Sequence, residues 1–78
     1  MSICVICKYG WIIKGVKDDK SDDSKLILHE SAVVRRWMNG KGIGGIAKAE
    51  NKNEYTLDDI GDVIINQSSV LFVIPCEW

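Results

Sequence analysis

The chain has 78 residues, 46% of them hydrophobic, and its ten basic and eleven acidic side chains leave a net charge of −1. That length holds one domain with a small core, burying about 60% of its unfolded surface. The apolar content excludes a disordered chain, and the near-neutral balance excludes a generic basic nucleic-acid binder. No apolar run reaches the ~20 residues that a bilayer-spanning helix needs. Met1 to Cys7 carries no basic residue ahead of its apolar stretch, as a secretion signal would require. A cytoplasmic location with no membrane partner is therefore expected.

Ile3 to Ile6 and Tyr9 to Val16 are rich in β-branched and aromatic residues and predict two strands. Gly10 and Gly15 mark bends or bulges in them. Asp18 to Ser24 contains no apolar residue and predicts a solvated acidic turn. From Lys25 to Val34 the apolar residues Leu26, Leu28, Ala32 and Val34 share one phase, the period of a half-buried strand. A rival reading caps a helix at Ser31, with Val33, Val34 and Trp37 on one face. Ile43 to Ala49 fits one helical turn, with Ile43, Ile46 and Ala47 inward, and Glu50 to Glu54 reads as exposed. Tyr55 to Leu57 predicts a brief strand and Asp58 to Gly61 a turn. Asp62 to Ile65 and Ser69 to Ile74 predict two further strands, joined as a tight hairpin by Asn66 to Ser68. Pro75 ends the last one. The sum is an all-β domain spanning residues 1–78, a small, strongly bent barrel of five or six strands with at most one short helical turn, of the SH3 or Sm type.

Three cysteines, Cys4, Cys7 and Cys76, include a Cys-x-x-Cys pair. A structural zinc site takes four thiolate or imidazole ligands, and His29 is the lone histidine, without a second paired motif. The pair also falls inside an apolar run rather than at a helix start. Small apolar packing in a reducing compartment is the expectation, with no metal and no cofactor. His29 beside Glu30 lacks a positioned nucleophile or second base and reads as surface. The acidic turn lacks the terminal Glu of a calcium loop.

Chemistry concentrates in Val33 to Lys48, where sixteen positions hold four basic residues, a Trp and four of the seven glycines. Gly40-Lys41-Gly42-Ile43-Gly44-Gly45 has the form G-x-G-x-x-G, yet the chain is too short for the strand–helix–strand unit of a dinucleotide fold. Glycine still lets backbone N–H groups approach an anion. The candidate anion or nucleotide site is Arg35, Arg36, Trp37, Lys41, Gly42, Gly44, Gly45 and Lys48. An arginine would contact phosphate and Trp37 would stack on a base. Arg35 and Arg36 face opposite sides of a strand, so one of them serves. The competing reading puts Trp37 in the core, the glycines in a tight turn, and the arginines in solvent or paired with Asp58 and Asp59.

Lys25-Leu26-Ile27-Leu28 through Ala32-Val33-Val34, followed by Gly61 to Pro75, resembles the two sequence blocks of Sm-like proteins. That resemblance implies a small β-barrel and ring assembly through edge strands. The family's Arg-Gly, which helps hold uridine, falls on Asn66-Gln67 or Gln67-Ser68, so the resemblance does not carry its RNA site here. Val33 to Trp37, Gly42 to Ala47 and Val70 to Cys76 are also similar to short reading frames of phages and prophages, which implies binding of host proteins, nucleic acids or nucleotides. Val70 to Ile74 is a continuous apolar run, and such a strand needs cover on both faces. The expectation is a non-enzymatic homo-oligomer, a ring or a dimer, that binds a host protein. The alternative is a nucleotide or RNA binder using residues 35–48.

Overall fold

The computed structural model describes residues 1–78. Five strands form one antiparallel sheet: β1 (Ser2–Cys7), β2 (Ile12–Lys17), β3 (Lys25–Trp37), β4 (Tyr55–Asn66) and β5 (Val70–Pro75), in the order β4-β3-β2-β1-β5. The helical content is four short 3-10 segments rather than one turn. These segments fill the connections, and each, at three to six residues, is too short to sustain an α-helix.

The sheet curls because its long strands bend within themselves. The β3–β4 ladder slips register between Leu28 and Ser31, between Ser31 and Ala32, and between Val34 and Arg36. Each slip adds local twist. Two residues take up the sharpest bend, Glu30 at φ 51° and Gly61 at φ 73°. The strand reading of Ser31 to Trp37 therefore holds over the helical one.

Three expectations are corrected. Asp58 to Gly61 is not a turn, because the ladder continues through it with Val33 opposite Asp58 and Ser31 opposite Gly61. Gly61 absorbs the bend inside the strand, so the polar run curves β4 without ending it. Asn66 to Ser68 does not close a hairpin, since β4 and β5 lie at opposite edges of the sheet. There the turn Gln67–Ser69 is tied to the acidic loop by Gln67 N–H donating to Ser24 O at 3.0 Å, and β5 pairs with β1 instead. Finally, β2 starts only at Ile12, because Tyr9 and Gly10 take φ 64° and 82° in the turn before it.

Curling the sheet divides the apolar residues into two clusters. One holds Ile3, Val5, Cys7, Leu26, Leu28 and Ile65. The other holds Cys4, Val34, Ile46 and Tyr55, with Trp37, Ile74 and Trp78 packed around them. β1 lies between them, and its period of two sends Ile3, Val5 and Cys7 to one and Cys4 and Ile6 to the other. The same alternation separates Cys4 from Cys7, so the Cys-x-x-Cys pair is not a gathered ligand set. Burial pushes the Cys4 thiol up to about 12, which keeps it neutral and apolar in character.

Candidate functional site

The basic, glycine-rich segment begins at the end of β3. Arg35 pairs with Asp58 across the ladder at 3.3 Å, as the competing reading expected. Arg36 points elsewhere and approaches Met38 Sδ at 3.4 Å. Trp37 is half-buried against Tyr55, ring centroids 5.9 Å apart, and belongs to the second cluster.

Beyond Trp37 the chain folds back as two consecutive 3-10 segments, Ile43–Ala47 and Ala49–Glu54. Ile46 is driven fully into the second cluster and anchors the connection. Around it a polar network forms. Tyr55 OH donates to Gly42 O at 2.7 Å, and Asn51 Nδ2 donates to Gly45 O at 2.9 Å. Lys41 Nζ donates to Asn51 Oδ1 at 2.8 Å and pairs with Glu54 at 3.1 Å. Two glycines are needed for geometry. Gly42 takes φ 67°, and a Cβ on Gly45 would lie 2.5 Å from Tyr55 Oη. Gly44, by contrast, faces open space. The carbonyls of Gly42 and Gly45 thus meet protein donors.

The C-terminal tail closes this end of the barrel. Trp78 Nε1 donates to Ile46 O at 2.8 Å, and Glu77 N–H donates to Ala47 O at 2.9 Å. Glu77 also reaches Lys48 at 3.8 Å and accepts from Ala49 N–H at 2.8 Å. Lys14 lies 4.0 Å over the Trp78 ring. The structure therefore gathers Trp37, Lys41, Gly42, Gly45 and Lys48 around one connection and places Arg35 on a different surface. Arg36 is the one basic residue of the segment with no carboxylate partner.

Arg35 opens onto a groove that sequence reasoning missed. Tyr9, Trp11, Val33, Arg35, Asp58 and Ile60 line a depression of about 510 Å³ between the β1–β2 turn and the β3–β4 ladder. Tyr9 is 98% exposed and Trp11 60%. The available signal is the Tyr9-Gly10-Trp11 turn, since a two-residue step around a left-handed glycine lifts both rings off the sheet.

His29 is also more engaged than expected. Nε2 contacts Asp18 of the β2–β3 loop, and Nδ1 lies 3.1 Å from Asp62 of β4. Asp18, and then Asp62, hold the imidazole above its ordinary value of 6.5. His29 holds Asp18 below the usual carboxylate range.

No protein-family model matches this chain, and no curated protein matches it in sequence. Among solved structures it is similar to a heptameric archaeal Sm protein described in relation to the eukaryotic snRNP core. The TM-score is 0.62 at 15% identity, covering 95% of this chain and 82% of that one. The chain has an Sm-like fold.

Proposed function

We propose that this protein is a non-enzymatic binding module that works as a closed homo-oligomer. The observation that carries the reading is the state of the two sheet edges. β4 and β5 each lack a partner on one side, and unpaired edges template association. Along them Ile64 is 70% exposed and Phe72 52%, with Leu71 and Val73 exposed beside Phe72. A β4 edge meeting the β5 edge of a neighbour is a head-to-tail contact, which closes into a ring when the rotation allows. The heptameric state of the Sm protein it resembles supports this assembly.

Native mass spectrometry of the purified protein tests the reading. A discrete ring is expected, and Phe72→Asp is expected to release folded monomers by placing a charge in the pairing edge. A monomer at about 0.1 mM would reject it.

The partner proposed for this module is a host protein. The basic segment supports a second reading, an anion site centred on Arg36, because that guanidinium is free of carboxylates. Steep loss of binding with added salt would favour the anion site over an apolar protein interface.

A further inference from the structure

We propose that the Tyr9–Trp11 groove binds a guanine base, carried by a free nucleotide or by single-stranded RNA. The inference deepens the binding-module reading and rests on it, but it does not require the ring.

The groove has the parts that recognise a flat heteroaromatic ring. Two aromatic side chains stand out of the β1–β2 turn, held there by Cys7 N–H donating to Trp11 O at 2.8 Å. Tyr9 keeps φ 64° without being glycine, and strain of this kind persists where the surroundings fix it and clusters at binding sites. Val33 and Ile60 add apolar lining. A volume of about 510 Å³ suits a base with its ribose, within the usual range for small-molecule sites.

Charge selects the ligand further. The charges of Arg35 and Asp58 cancel, so the groove does not favour phosphate itself. It offers a donor and an acceptor side by side. Asp58 turns one oxygen, Oδ2, to Arg35 at 3.3 Å, and both groups are about half exposed. A carboxylate accepts two parallel N–H bonds, and a guanidinium has donors to spare. Among the bases, guanine places two adjacent donors, N1–H and N2–H, beside an acceptor, O6. Adenine and cytosine set a single amino donor beside a ring acceptor, which would face a carboxylate oxygen. Uracil has one donor between two acceptors. With the base stacked on Trp11, Asp58 takes the two donors and Arg35 donates to O6.

Isothermal titration of the full chain with guanosine, inosine and adenosine 5′-monophosphates tests this, with a guanine-containing RNA decamer as a further arm. Guanosine monophosphate is expected to bind saturably. Inosine monophosphate, which lacks the N2 amino group, should bind about 10-fold more weakly, and the adenine nucleotide about 100-fold more weakly. Trp11→Ala should weaken binding about 5- to 150-fold, and Trp11→Phe should restore part of it. Circular dichroism should be unchanged, since Trp11 is exposed. Asp58→Asn should remove the preference for guanine. Tighter binding of the decamer than of the mononucleotide assigns RNA as the source, and equal binding assigns the free nucleotide. Equal affinity for adenine and guanine, unchanged binding in Trp11→Ala, or saturation by a peptide with no nucleotide binding would each overturn the proposal. Light scattering on the same samples separates the two readings. A monomer that prefers guanine sinks the ring alone, and a ring indifferent to guanine sinks the groove alone.

Discussion

The two loops that flank β3 are held by opposite means. The connection after it, Met38 to Glu54, is plugged by Ile46, bonded to Tyr55 and Asn51, and clamped by the tail at Glu77 and Trp78. The loop before it, Asp18 to Ser24, buries nothing large. Its side chains cap their own backbone, Asp18 accepting from Lys20 N–H at 2.6 Å and Asp22 from Ser24 N–H at 2.9 Å, and His29 ties it to β4. Apolar burial makes the first loop part of the core, while short polar contacts leave the second dependent on protonation. Gly42, Gly45 and Lys41 of the connection after β3 thus serve a packed turn, whereas the exposed aromatic rings stand elsewhere, at Tyr9 and Trp11.

Removing the plug should produce the largest effect. Ile46 is fully buried, and truncating a buried isoleucine costs about 2–5 kcal/mol. That is a large part of the stability of a domain this small. Ile46→Ala should therefore lower the urea midpoint sharply or unfold the chain. An exposed substitution in the acidic loop, Asp19→Ala, should stay within about 0.5 kcal/mol. Equal losses for the two variants would erase the contrast between the loops.

This contrast explains what is legible in the sequence. β3 is readable because Leu26, Leu28, Ala32 and Val34 keep period two across the bulges. The acidic turn is readable because it has no apolar residue to bury. The bend at Gly61 is hidden, because glycine in a polar run looks the same whether the strand ends or curves. The place of β5 is hidden as well, because its pairing with β1 joins the two ends of the chain, Ile3 with Pro75, and is set by tertiary packing rather than by local pattern. In the candidate site, the pairing of Arg35 with Asp58 is visible as a cross-strand option. The anchoring of residues 46–49 by the tail depends on contacts some thirty positions apart, such as Trp78 with Ile46. The Tyr9–Trp11 groove escapes for a similar reason, since its walls come from three separate strands and a turn.

A smaller effect should come from Gly45. A Cβ there meets Tyr55 Oη at 2.5 Å and Lys41 Cβ at 2.7 Å. Gly45→Ala should cost about 1–3 kcal/mol by overpacking. Tyr55→Phe alone should cost about 1 kcal/mol through the lost bond to Gly42 O. The double variant should be more stable than the sum of the two single losses, because removing the hydroxyl opens space for the new methyl group. Strict additivity in denaturant titrations would show that Tyr55 does not hold this connection in the described geometry.

The smallest effect belongs to the acidic loop and appears only as pH changes. His29 meets a carboxylate at each ring nitrogen, so both contacts are donated only by the doubly protonated ring. Its folded value lies above 6.5, through Asp18 first and Asp62 second. The contribution of the clasp is then complete below 6.5 and lost as pH rises through the raised value. Asp18 acts from the other side. Its folded value lies below 3.8, so its contribution is present above 3.8 and lost as pH falls through the lowered value. The clasp is therefore tightest between these limits. Amide exchange in Asp18 to Ser24 should slow on going from about pH 8.5 to about pH 5.5, after correction for intrinsic rates. Exchange at Ile46 should not change, because Ile46 itself is held by full apolar burial and by the neutral indole of Trp78, which donates to its carbonyl. His29→Gln should abolish the difference at the acidic loop. An NMR titration that puts His29 at or below 6.5 would show that the two loops are not held by different means after all.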